Sequence, residues 1–95
     1  MLNDENKELC WKVLAKYGII HQMDMVIEEC AELQKAVCKM FRSKTAKHYA
    51  NFIEELIDVI VMCQQMLLNS GMDMDDVNKR ARIKLERALH ETDKA

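Results

Sequence analysis

Apolar residues recur along most of this chain at intervals of three and four, the period of a helix with one buried face, and no useful stretch alternates in the manner of a strand. Breaks are easy to place, because the sequence has no proline and only two glycines. Gly18 and Gly71 each follow an amphipathic run and read as helix C-caps. The first helix is predicted over about residues 4–17, with Asn3 as N-cap. The last is predicted over about 74–91, where Asp73 is followed three residues on by Asp76 in the manner of a capping box. The segment between the glycines is too long for one straight helix in a compact domain. Its polar break is Arg42-Ser43-Lys44-Thr45, with Thr45 as N-cap, which predicts helices over about 20–41 and 46–69. The expected class is all-α, a single domain over residues 1–95 containing two long antiparallel helices in a four-helix subunit.

Helical phase separates the faces of these elements. On the second helix Met23, Val26, Cys30, Leu33, Val37 and Met40 form one expected core stripe. The third helix is apolar on two sides, one carrying Phe52, Leu56, Val59, Cys63 and Met66, the other Ile53, Ile57, Ile60 and Leu67. A helix apolar on two sides is buried on two sides. Nearly half of the 95 residues are apolar, whereas a chain this short buries only roughly 60–65% of its unfolded surface. Both features predict a helical-bundle homodimer or homotetramer.

Charge and cysteine content narrow the class. A net charge of −2 lacks the basic excess of a duplex nucleic-acid binder, so no nucleic-acid partner is expected. The polar, acidic start does not resemble a signal peptide, and no apolar run approaches the ~18 residues of a membrane span. The richest stretch, Leu56 to Cys63, is interrupted by Asp58. The four cysteines contain no C-x-x-C pair and sit among apolar helical positions, as expected of reduced structural thiols in a cytoplasmic protein. Trp11 and Tyr17 are expected in the core, with stacking on a nucleobase as the alternative.

The chemistry of the chain lies in its carboxylates. Helix 2 carries Glu28-Glu29-Cys30-Ala31-Glu32, and helix 3 carries Glu54-Glu55-Leu56-Ile57-Asp58. Glu29 with Glu32, and Glu55 with Asp58, are i,i+3 pairs, so each pair stands on one face one turn apart. Both pairs fall at the edge of the expected seam between the helices. Antiparallel packing would bring four carboxylates towards one point, where like charges repel unless a proton or a cation intervenes. Ligands that are all oxygen favour a hard divalent ion, Mg²⁺ first and Mn²⁺ as substitute. Glu28 and Glu54 fall further round, towards solvent. A ferritin-like di-iron site is excluded, because none of His21, His48 and His90 stands three residues after an acid.

Carboxylate-held magnesium commonly leaves positions open for phosphate. Arg80, Lys84 and Arg87 run along one face of helix 4, beside an expected core stripe of Met74, Val77, Ala81, Leu85 and Ala88, and are candidate phosphate contacts. Gln22 lies seven residues before Glu29, roughly 10 Å along the same face, and Asn51 lies one turn before Glu55. Both are candidate contacts for a base or sugar, with inter-helix hydrogen bonding the alternative.

On these residues the chain resembles the MazG-like all-α nucleoside triphosphate pyrophosphatases. Tyr17-Gly18-Ile19-Ile20-His21-Gln22 with Ile27-Glu28-Glu29-Cys30-Ala31-Glu32-Leu33 is similar to their E-E-x-x-E motif, Glu55-Leu56-Ile57-Asp58-Val59 to their E-x-x-D motif, and Lys84-Leu85-Glu86-Arg87 to the basic element that follows. The resemblance spans about residues 17–88. It implies Mg²⁺-dependent hydrolysis of a nucleoside or deoxynucleoside triphosphate to monophosphate and pyrophosphate. It also implies metal on Glu29, Glu32, Glu55 and Asp58, phosphate on Lys84 and a nearby arginine, and a dimer or tetramer. Glu29 and Lys84 are then the expected catalytic groups, one accepting a proton from water and the other stabilising the departing pyrophosphate. A phosphoribosyl-ATP pyrophosphohydrolase has a similar acid pattern and is the close alternative. A non-enzymatic helical interaction module is the alternative from another class.

Overall fold

The structure, a computed structural model, describes residues 1–91. It consists of helices α1 (Asp4–Tyr17), α2 (Ile19–Arg42), α3 (Ala46–Ser70) and α4 (Met74–Glu91), with no strand among the described residues. The all-α expectation therefore holds, and the helix bounds agree with the capping pattern to within a residue. Asn3 accepts from the Asn6 amide at 2.9 Å, and Thr45 Oγ1 accepts from the His48 amide at 3.1 Å. Asp73 caps α4 through the Asp75 amide at 2.9 Å. Gly71 takes the left-handed C-cap conformation, φ 74° and ψ 8°, whereas Gly18, at φ 85° and ψ 158°, takes an extended positive-φ conformation open essentially to glycine alone. Gly18 is also the whole connection between α1 and α2.

The centre of the subunit is the antiparallel pair α2 and α3, joined by Ser43, Lys44 and Thr45, with α1 laid against both. α4 packs against none of the other three helices. Its expected core stripe is consequently uncovered: Met74, Val77 and Ala81 are half-buried, and Leu85 and Ala88 are exposed.

Few apolar side chains are fully buried, namely Cys10, Leu14, Ala36 and Met62. Among the described residues, three glutamines join them, Gln22, Gln64 and Gln65. The centre of the seam is thus rotated from the stripe predicted for α2. Met23 is exposed, whereas Gln22 and Ala36 face α3. Buried amides must be paired, and Gln22 Nε2 donates to Gln65 Oε1 across the seam at 2.8 Å. His21 Nδ1 donates to the other end of the same amide, Gln22 Oε1, at 2.8 Å. Trp11 and Tyr17 are half exposed and not core residues, and Tyr17 stacks on His21 across the Gly18 junction, ring centroids 5.0 Å apart. The four cysteines are free thiols, as expected, but Cys38 and Cys63 are exposed. No described helix is long and apolar enough to cross a membrane.

The Gln22–Gln65 bond yields a prediction. Gln22→Leu leaves Gln65 Oε1 in the seam without its donor, and should cost about 1–3 kcal/mol in urea unfolding. The double substitution with Gln65→Leu removes both partners and should recover part of that loss. A double variant as unstable as the sum of the singles would mean the two amides do not interact.

Candidate metal centre

The register set by Gln22 and Gln65 carries the acids with it. Two turns on from Gln22 along α2 stands Glu29, and two turns back from Gln65 along α3 stands Asp58. In an antiparallel pair these two must face one another, and Glu32 and Glu55 must do so one turn further along. The structure follows this rule for Glu29 and Asp58, with Glu55 beside them, and leaves the expected ligand Glu32 exposed and outside the cluster. One carboxylate oxygen from each of Glu29, Glu55 and Asp58 lies within 4.8 Å of the others. Glu29 and Glu55 are half-buried at the seam, and Asp58 is exposed at its edge.

The electrostatics of this trio are one-sided. Loss of hydration raises the pKa of Glu29, and Asp58, Glu55, Glu32 and Glu28 raise it further, in that order. Glu32 is exposed and outside the trio, yet close enough to act on Glu29. Glu55 Oε2 is buried and has no hydrogen-bond partner. An acceptor in that state is costly unless a donor or a cation meets it. Clusters of exposed acids commonly exist without metal; here Glu55, one of the three, also holds a buried oxygen that no donor meets. The donor set, all hard oxygen, fits Mg²⁺ or Mn²⁺.

The other candidate residues are placed differently. Asn51 is half-buried one turn before Glu55, in line with the site. Gln22 is buried and its amide is held at both ends, by Gln65 and by His21. It takes the inter-helix hydrogen bond given above as the alternative to base contact. Arg80 and Lys84 line a shallow groove with Leu67, Met72, Val77 and Ala81, and Arg87 is exposed. Because α4 packs on neither α2 nor α3, the subunit does not bring these cations to the carboxylates. Periodicity alone does not single out Gln65, although it stands two turns after Asp58 on the same face of the most apolar helix. A polar side chain in that position is a usable sign of a seam contact.

Comparison with known proteins adds no relative: no family model, no curated protein and no solved structure matches this chain.

Glu29 also makes the metal-free stability depend on pH in a stated direction. Its folded pKa lies above the ordinary value of 4.5, so the folded state holds the proton more tightly than the unfolded one. Its contribution is full below that value and is lost as pH rises through the raised pKa. Thermal unfolding in chelator should therefore show a Tm that falls over this window, and Glu29→Gln should flatten the fall. Millimolar Mg²⁺ or Mn²⁺ at neutral pH should raise the wild-type Tm and leave Glu29→Gln nearly unmoved. Equal response of the two proteins would show that the cation does not bind at Glu29.

Proposed function

We propose that this chain is a magnesium-dependent nucleoside triphosphate pyrophosphohydrolase of the MazG-like kind, converting a nucleoside or deoxynucleoside triphosphate to monophosphate and pyrophosphate. The observation that carries the reading is the approach of the Glu29, Glu55 and Asp58 carboxylates within 4.8 Å of one another, with a buried oxygen of Glu55 left unpartnered. The motif resemblance gives that acidic centre its substrate class.

The residues suit the reaction. Glu29, Glu55 and Asp58, with Glu32 beside them, would hold the ion. Bound there, Mg²⁺ would neutralise phosphate charge and supply a Lewis acid at the scissile anhydride. Glu29, whose neighbours raise its affinity for a proton, is the carboxylate suited to take one from the attacking water. Asn51, on the face of Glu55, is the polar group positioned for sugar or base. Lys84 and Arg80, which α4 holds away from the carboxylates of the same chain, would serve the departing pyrophosphate only if α4 or a neighbouring copy brought them to it. Gln22 is left to the seam.

Pyrophosphate release from a panel of ribo- and deoxyribonucleoside triphosphates, with phosphoribosyl-ATP included, tests the reading directly. Release should require Mg²⁺ or Mn²⁺ and yield the monophosphate. Asp58→Asn and Glu55→Gln should each lower kcat/KM by more than ~100-fold, since loss of a direct ligand exceeds the 10–100-fold effect of an outer-shell partner. Helicity should be kept, because removing clustered acids relieves repulsion. Turnover of phosphoribosyl-ATP alone would move the chain to that substrate class. No turnover of any substrate by folded, metal-loaded protein would leave the interaction module as the reading.

A further inference from the structure

Charge is unevenly spread along the α2–α3 pair. Residues 33–53 carry five cations, Lys35, Lys39, Arg42, Lys44 and Lys47, and no acid, so all 16 acids stand elsewhere. Lys35 is one turn from Glu32 and is balanced by it. The other four surround the three-residue link between the helices, and none is ion-paired among the described residues. The nearest acids along either helix are Glu32, seven residues before Lys39, and Glu54, seven after Lys47. Seven residues are roughly 10 Å of helix, beyond the ~8 Å over which exposed charges interact in physiological salt.

Helix energetics explain part of this pattern. Lys39 and Arg42 complement the C-terminal end of the α2 dipole, but Lys47 sits in the first turn of α3, where the dipole favours an acid. The basic stretch of α4 is a different case, because its five cations share residues 73–91 with five acids. The hairpin end also exposes large apolar groups. Phe41 is 83% exposed and Tyr49 56%. Phe41 and Lys44 border an open recess whose other lining residues are Val37, Met40 and Phe52.

The charge calls for an anionic partner, and the apolar groups decide its kind. Single strands of nucleic acid are bound along basic grooves by aromatic stacking, with help from arginine. Here the patch is the end of a hairpin, three of its four cations are lysine, and the recess offers no side-chain amide or hydroxyl to a base edge. A lipid surface suits the combination that is present: an exposed ring to enter the acyl boundary, and lysines whose stems lie on apolar surface while their heads stay among the headgroups. We infer that this end of the α2–α3 hairpin is a docking surface for an anionic lipid leaflet, with Phe41 entering the interface and Lys39, Arg42, Lys44 and Lys47 meeting the headgroups. The attachment is peripheral, since no described helix is long and apolar enough to cross a membrane. The acids of the rest of the chain are repelled by the same leaflet, so the molecule stands on this end.

The test is flotation of the full chain with vesicles of phosphatidylcholine, alone or with about one-third phosphatidylserine. It uses no activity, so its result is separate from that of the hydrolase assay. The chain should float with the anionic vesicles in dilute salt, be released at about 0.5 M salt, and ignore phosphatidylcholine alone. A cation near an anionic leaflet multiplies partitioning by about fivefold, so Lys44→Glu should weaken it by about tenfold or more. Phe41→Ser should weaken it by about tenfold through the lost apolar contact. Lys79→Glu, on the balanced α4, should change it by less than about threefold. Absence of binding to anionic vesicles overturns the proposal, as does binding untouched by Lys44→Glu or weakened as much by Lys79→Glu. Capture of a single-stranded oligonucleotide without vesicle binding overturns it in favour of nucleic acid. Should Phe41→Ser lose its helicity, Lys44→Glu decides alone, because Lys44 lies in the link outside both helices.

Discussion

The seam between α2 and α3 positions everything else in this subunit. Two long antiparallel helices can slide past one another by a turn at little cost if only apolar side chains meet. A buried amide pair is less forgiving, because sliding leaves a donor and an acceptor stranded. Gln22 and Gln65 therefore act as a register pin, and His21 keeps the outer end of the Gln22 amide occupied. With that register set, Glu29 meets Asp58 and Glu55 with no further device. The same helices thus carry the pin and the acids, two turns apart, so the accuracy of the first is passed on to the second.

The centre works against its own fold. Loss of hydration and four neighbouring acids all disfavour the charge on Glu29, and Glu55 holds an oxygen in the seam without a donor. Such an arrangement is stable only in proportion to what opposes it. Here that is the apolar packing of Ala36, Met62 and the half-buried residues around them. A cation bound there would oppose these terms with its own attraction and would meet the Glu55 oxygen, so binding would add to stability.

The helix boundaries were legible because they rest on local chemistry: Asn3, Thr45 and Asp73 cap, and Gly18 and Gly71 terminate. The acidic pairs were legible because i,i+3 spacing survives any tertiary arrangement. The exact facing of α2 was not. The expected stripe holds for Val26, Cys30, Leu33, Val37 and Met40, all half-buried, and fails at Met23, its exposed edge. The polar members of the seam mislead further, since Gln22 and Gln65 look like surface residues until a partner amide is placed opposite them. Trp11 and Tyr17 were misread as core for a related reason, namely that a large ring on a short helix does not fix which side that helix buries. The place of α4 was beyond the reach of periodicity, which reports that a stripe exists and not what, if anything, packs on it.

The three-residue link between α2 and α3 has a kinetic meaning. Contacts across this hairpin begin a few residues apart in sequence and zip outwards from the Thr45 cap, so little loop entropy is lost before packing begins. The chain contains no proline, and refolding meets no prolyl isomerisation. The hairpin, with α1 following through its one-residue joint at Gly18, should form on the fast time scale of helical domains.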